Sequence, residues 1–500
     1  MSRLVVVSNR VALPNEHRAG GLAVAMRAAL REGGGLWFGW SGKRVREPSG
    51  TLHVLEDGNT RYVTMDLSHE DFDAYYNGFA NRTLWPLLHF RLDLVDYRRD
   101  TWEGYRRVNA LFAQALAKQL RPDDVVWVHD YHMIPLGQEL RALGVGNRLG
   151  FFLHVPMPSS DLLAALPGHQ ALFAAFSSYD LIGFQTERDL DRFQSYARLY
   201  NGGRMLADGR MQTTDGRSFR AGAFPISIDT QLIAKQAAAA VTRASVQRLR
   251  GSLTGRKLAI GVDRLDYSKG LPDRFRAFER YLERFPEQHG QVTYLQLAPV
   301  SRSEVPEYQA LRRELEGLAG HINGRHAAPE WTPVRYVNRD FSHGVLTGFY
   351  RLADMALVTP LRDGMNLVAK EYVASQNAED PGVLVLSRFA GAAIGLREAL
   401  VVNPYDVDGV ADAIAQAHAM PLAERRERWR AMLETLRVHD ITAWRRRFLD
   451  ALVSDAEPAK AGSAPKAAAK KSSAKNATDR PRNPAGAKPR TPAPQPRSTG

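Results

Sequence analysis

The chain has 500 residues, 44% of them hydrophobic, no cysteine and a formal charge of +13. That length allows two or three domains of ~100–200 residues, and the missing thiols exclude disulfides, cysteine nucleophiles and cysteine-bound zinc or iron–sulfur centres. No stretch approaches the ~18 apolar residues of a membrane span. The opening Met-Ser-Arg-Leu and its one short apolar run lack the length of a secretory leader. A cytoplasmic protein with no membrane contact is expected.

Short apolar runs at Leu4–Ser8, Val125–Val128, Gly150–Leu153 and Leu181–Phe184 suit strands buried on both faces. Helical patterns lie between them, as where Tyr105, Val108, Phe112, Ala115 and Leu116 fall on one face. After a hydrophilic stretch from about Ser195 to Arg220, a second series follows: Leu258–Val262, Val292–Leu297, Val334–Val337, Met355–Val358 and Val383–Leu386. Alternation of this kind predicts βαβ units, parallel sheets and an α/β chain of two facing doubly wound domains. The boundaries are placed at 1–225 and 226–440, with a helix over 441–455 expected to cross back to the first domain.

From 456 to 500 the chain is built largely from Ala, Lys, Pro, Ser and Arg, without aromatics. Residues 455–500 hold ten Lys or Arg against three Asp or Glu, a net +7 of the chain's +13. Such a segment cannot bury enough apolar surface to offset its ordering entropy and is expected to be disordered. It would bind nucleic acid at most weakly, since no aromatics interleave its cations.

Ligands of an open parallel sheet bind beyond the carboxyl ends of its strands. Those ends read Asn9-Arg10, His129-Asp130, His154, Gln185-Thr186, Asp263-Arg264, Ser301-Arg302 and Arg362-Asp363. Gly20-Gly21 opens a helix, which suits close approach to phosphate but equally an ordinary turn. Arg264 and Lys269, five apart before Gly270, suit a pyrophosphate: one guanidinium fork and one point charge. They could also be a surface loop with incidental ion pairs. Asp363, Gly364 and the helix from Leu367 to Glu371 would offer a carboxylate, first-turn N–H groups and a second carboxylate. The plainer reading makes Asp363 a helix cap and Glu371 half of an ion pair.

The phrases SNR–AGGL, LWFGWSG, YYNGFANRTLWP, VWVHDYH, FFLHVPMP, DRLDYSKG, APVSR, PLRDGMNLVAKEYV and VLSRFAGAA resemble those of trehalose-6-phosphate synthases, from Met1 to about Val453. That family is a retaining glycosyltransferase family of the GT-B fold. The resemblance implies transfer of glucose from UDP-glucose to glucose 6-phosphate, with no cofactor. It places Arg10, Tyr76, Trp85, Asp130 and Arg302 on the acceptor. Gly20, Gly21, Arg264, Lys269, Phe341, Leu367, Val368, Ala369, Lys370 and Glu371 fall on the donor nucleotide. His154 and Asp363 fall on the transferring glucose and, with Arg264 and Lys269, form the catalytic set. A homo-oligomer, dimer or tetramer, is expected. The chain departs from the family pattern at Met157 (usually Phe), Asp263 (Glu) and Gly395 (Glu).

Three Asp-x-Asp triplets, 71/73, 189/191 and 406/408, offer the pair that a metal-dependent transferase uses. All read better as helix faces, and no metal is expected. His129 and His132 read as structural. The stripes Trp429/Met432/Leu433/Leu436 and Trp444/Phe448/Leu449/Leu452 read as core. The rival functions are a GT-B transferase with another nucleotide sugar or acceptor, and a catalytically silent sugar-phosphate sensor. The sensor would be expected to lack one of Arg10, Arg264, Lys269, Asp363 and Glu371, all of which are present.

Overall fold

The computed structural model describes residues 2–14, 26–27, 29–31, 33–48, 50–300 and 305–454. Gly20, Gly21, Arg302 and the tail expected over 456–500 lie outside the described residues. Among the described residues, sixteen strands fall into two sheets.

The first sheet holds β1 (Leu4–Arg10), β2 (Gly35–Val45), β3 (Leu52–Asp57), β4 (Thr60–Ser68), β5 (Val125–His129), β6 (Arg148–Phe152), β7 (Leu181–Phe184), β8 (Arg204–Met205), β9 (Met211–Gln212) and β10 (Ser218–Ala223). Their order is β3-β4-β2-β1-β5-β6-β7-β10-β9-β8. From β4 to β10 the pairing is parallel; only the edge strands run antiparallel. The central runs Val5–Val7 and Val126–Val128 are fully buried, which is why uninterrupted apolar sequence forms them.

Two expectations need correction here. The stretch from Ser195 to Arg220 does not simply separate the two series, because β8, β9 and the start of β10 add to the first sheet. Strands β2, β3 and β4 fall in a region where no strand was expected. The last two are joined by a two-residue turn, Asp57 pairing with Thr60 and Gly58 at φ 57°, a turn glycine permits at no steric cost.

The second sheet contains β11 (Lys257–Val262), β12 (Val292–Leu297), β13 (Val334–Val337), β14 (Met355–Val358), β15 (Val383–Ser387) and β16 (Leu400–Val402). It is wholly parallel, in the order β13-β12-β11-β14-β15-β16. By rank within the sheet that is 3-2-1-4-5-6, the dinucleotide-binding order, whose crevice opens between the first and fourth strands.

The chain leaves the first sheet at Ala223, and the next helix, Thr230–Ala240, packs on helices His343–Leu352 and Leu367–Ser375 of the second lobe. It returns through the last helix, Ile441–Val453, which lies on β6 and β7. Phe448 stacks on Trp127 at 4.6 Å, and Trp444 Nε1 donates to the Phe224 carbonyl at 3.0 Å. Gly150 and Gly183 make the room: a Cβ at either would sit 2.9 or 2.7 Å from the Phe448 ring. The stripe from Trp429 to Leu436 is likewise buried, with Trp429 Nε1 donating to Val373 O at 3.0 Å.

Candidate active site

The two crevices predicted by strand order face each other. In the first lobe Arg10 ends β1, Asp130 follows β5 and His154 follows β6. In the second, Arg264 and Lys269 follow β11, and Asp363 and the helix Leu367–Ser375 follow β14. The switch points of the two sheets thus carry Arg10, Asp130, Arg264, Lys269 and Asp363, with His154 one strand away.

Direct contacts span the cleft. Trp85 Nε1 donates to Asp266 Oδ1 at 3.4 Å, and the Arg264 guanidinium sits 5.8 Å from the Trp85 ring centre. Gly364 abuts the His154 carbonyl so closely that a Cβ would lie 2.0 Å from its oxygen. Any side chain there would wedge the lobes apart. Asp266 is fixed by Ser268 and Tyr308, which holds the Trp85 indole over the β11 loop.

Lys269 Nζ donates to Asp363 Oδ2 at 2.6 Å, with 13% and 14% of the two side chains exposed. Asn366 Nδ2 donates to the same oxygen at 3.0 Å, while Asn366 Oδ1 caps the Ala369 N–H at 3.3 Å. Asn366 takes φ 71° to do both, a conformation Asn tolerates better than most residues. The plain cap reading of Asp363 therefore fails, because the cap is Asn366. Leu367 and Val368 begin the helix, so their N–H groups are at its open end.

Three expected contacts look different in the structure. Lys370 turns away from the cleft: Nζ donates to the Ile226 carbonyl at 2.6 Å, and burial pulls its pKa down to about 7. Only its backbone can serve a ligand. Glu371 Oε1 lies 3.5 Å from His343 Nε2, and that contact raises the histidine's pKa. His154 has no ring nitrogen to spare. Ile226 N–H donates to Gln185 Oε1 at 3.0 Å, so the Gln185 amide nitrogen donates to His154 Nδ1 at 3.3 Å. The His154 proton then sits on Nε2 and points at His129 Nδ1, 3.0 Å away. Burial holds both rings neutral, His154 near a pKa of about 3 and His129 well below the usual range.

Of the acceptor set, Tyr76 stacks on His132 at 5.8 Å within the π-helical turn Phe72–Leu84. The neighbouring Tyr75 donates to Asn9 Oδ1 at 2.9 Å, tying that helix to the end of β1. Asp130 adopts φ 76° and ψ 166°, a strained backbone of the sort concentrated at functional sites, and its Oδ1 accepts from His154 N at 3.2 Å. Phe341 packs edge-on against Phe349 at 5.3 Å.

One cleft residue was missed. His89 is buried against Trp85, with ring centres 4.0 Å apart, and feels Asp266, Lys269 and Asp363; burial drops its pKa to about 4. Its sequence signal, a lone histidine four residues after Trp85, is indistinguishable from a core histidine. The Asp-x-Asp triplets are committed elsewhere. Asp71 accepts from Arg107, Asp189 from Thr186 and the Met157 N–H, Asp406 from the Gly409 N–H, and Asp408 from Arg280. Asp263, one of the departures from the family pattern, accepts from the buried Arg274 at 2.7 Å.

The sequence model of glycosyltransferase family 20 matches residues 4–454. The chain belongs to that family. It is 52% identical over 462 residues to a trehalose-6-phosphate synthase of Sinorhizobium fredii, covering 91% of this chain and 99% of that one. Among solved structures it resembles a UDP-forming α,α-trehalose-phosphate synthase of Burkholderia xenovorans in complex with glucose-6-phosphate: TM-score 0.88, 50% identity, 91% of this chain and 100% of the other. It also resembles the Escherichia coli enzyme bound with UDP-2-fluoro glucose, with TM-score 0.87, 47% identity and coverage of 90% and 99%. The two-lobed family 20 architecture is the GT-B fold, as the resemblance implied. No helix among the described residues is long and apolar enough to cross a membrane.

Proposed function

We propose that this family 20 enzyme transfers glucose from UDP-glucose to glucose 6-phosphate, giving α,α-trehalose 6-phosphate and UDP. The observation that carries the assignment is the Lys269–Asp363 pair at 2.6 Å, at the strand-order crevice of the second lobe and a few residues before an open helix N-terminus. A cation suited to a diphosphate then lies beside a carboxylate suited to the transferring sugar, next to the lobe contacts at Trp85 and Gly364, which supports this reading.

The donor C1–O bond breaks, and its electron pair goes to the β-phosphate oxygen of UDP. The acceptor's anomeric hydroxyl attacks from the same face and passes its proton to that oxygen. Arg264, Lys269 and the N–H groups of Leu367 and Val368 take up the growing charge, where preorganised electrostatics do most. That cation set lets the diphosphate leave without a metal ion. Asp363 holds the glucose; Arg10 and Arg302 hold the acceptor phosphate, with Tyr76, Trp85 and Asp130 around its ring. Glu371 and Phe341 belong to the nucleoside end, with His343 fixing the Glu371 carboxylate. His154 acts as a wall, its ring locked by Gln185 and His129. A soluble, cytoplasmic homo-oligomer remains part of this reading.

UDP-, ADP- and GDP-glucose offered in turn with glucose 6-phosphate, with and without EDTA, test it. Preferred UDP release that depends on glucose 6-phosphate and survives the chelator is expected. Release lost in EDTA and restored by magnesium would overturn the metal-free step, and preference for another nucleotide would overturn the donor.

A further inference from the structure

Beside the Arg362–Gly364 turn, four arginines converge from both lobes. Arg188 and Arg192 project from helix Glu187–Tyr200, just after β7; Arg362 follows β14 and Arg388 follows β15. All four line a narrow cavity of about 30 Å³. Arg188 and Arg388 also border the adjoining cavity, of about 540 Å³, whose wall includes Phe389, Ile394 and Val401.

The Asp189 carboxylate offsets part of this charge, and one carboxylate against four guanidiniums leaves most of it unbalanced. The Arg362 guanidinium lies 4.1 Å from the Phe90 ring centre and 4.5 Å from that of Phe389, and its Nε is buried without a hydrogen-bond partner. Arg192 lies 5.2 Å from the Phe90 ring centre and gives Nη1 to the Met157 carbonyl. Burial, then the charges of Arg192 and Arg188, pull the Arg362 pKa down. The other carboxylate bordering the narrow cavity, Asp363, is paired with Lys269, and Asp189 spends its hydrogen bonds on Thr186 and the Met157 N–H. Arginine cannot shed its proton to relieve such crowding. Only an anion can, and the guanidinium fork fits the oxygens of phosphate.

We propose that the arginine cluster is a binding site for a phosphate-bearing small molecule, separate from the substrate cleft. The phosphate lies between Arg188 and Arg388, with Arg192 and Arg362 behind it, and an apolar body rests on Phe389, Ile394 and Val401. Because each lobe supplies two of the arginines, the ligand draws the lobes together at the turn that carries Asp363 and Gly364. Occupancy therefore favours the closed cleft.

Calorimetry on the whole enzyme carrying Arg10→Ala and Lys269→Ala, which weaken both substrate phosphate subsites, tests the site. Inorganic phosphate and phenyl phosphate are the probes. One site is expected, tighter for phenyl phosphate. Adding Arg188→Ala or Arg388→Ala should weaken it ~10-fold or more, the loss of one charge-assisted partner. Made singly in the parent, either should leave turnover without added phosphate and the melting temperature unchanged. Arg388→Gln serves if the alanine variant folds poorly. No heat in the Arg10→Ala, Lys269→Ala background would assign the anion to the substrate subsites and overturn the proposal. So would equal affinity in the variants, or a fall in melting temperature with affinity intact.

Discussion

Replacing Asp363 by Asn keeps the shape of the side chain and removes its charge. The carboxylate oxygen that accepts from Lys269 at 2.6 Å also accepts from Asn366 at 3.0 Å, and both ion-pair side chains are largely buried. An amide oxygen in that place can still accept from both donors but carries no charge, so Lys269 loses the charge assistance of a contact of about 1.5–3 kcal/mol. The ammonium released in this way still faces the diphosphate. If Asp363 holds the transferring glucose more strongly in the transition state than in the ground state, kcat falls at least ~100-fold, about 2.7 kcal/mol. Affinity for UDP stays level or tightens. Steady-state rates, calorimetry with UDP and a melting curve on the same preparation separate these effects. A kcat within ~10-fold of the parent would refute the reasoning. So would rate, UDP affinity and melting temperature all falling together, which would make Asp363 a structural group.

Lys370 makes stability depend on alkaline pH. Its pKa is about 7 in the fold and ~10.4 in the unfolded chain, so the unfolded state binds more protons between those values and stability rises with pH across that window. At up to ~1.4 kcal/mol per pH unit, the gap between the parent and Lys370→Met should shift by about 2 kcal/mol in the parent's favour from pH 7 to 9 in urea titrations; no shift would mean the ammonium stays charged. His129 and His154 act on the acid side. Their depressed pKa values mean that stability present above ~6.5 is lost as pH falls below it. Denaturation midpoints at pH 7 and 5 should fall further for the parent than for His154→Gln, by about 2 kcal/mol. Phe448→Ala removes the ring from between Trp127, Gly150 and Gly183 and should cost about 3–5 kcal/mol in chemical denaturation, while a cost under 1 kcal/mol would show that the last helix is not bound to the first lobe.

The strands legible in the sequence are those buried on both faces, such as β1, β5, β12 and β14, because an uninterrupted apolar run has few other uses. Strand β2 was not expected because Gly35, Gly39 and Gly42 interrupt it, and β8 and β9 because two-residue polar edge strands carry no periodicity. The candidate residues Arg10, Asp130, Arg264 and Asp363 were legible because each ends or closely follows a strand at a switch point, whereas Tyr76, Trp85 and Phe341 came from the family resemblance alone. Contacts made only by tertiary closure were not legible. Trp85 meets Asp266 across 181 positions of sequence, and Lys370 looks like a donor ligand until its helix is seen against Ile226. The arginine cluster was invisible for the same reason. Arg188 reads as one solvated position of a helix until β15 brings Arg388 beside it.

The central claim is retaining transfer to the anomeric hydroxyl of a sugar phosphate. Carbon NMR of the product from UDP-glucose labelled at C1, incubated with glucose 6-phosphate, reads it directly. The account predicts the label in an α,α-1,1 linkage, formed one-for-one with UDP and only when glucose 6-phosphate is present. A β-configured product, or labelled free glucose as the main product, would contradict it.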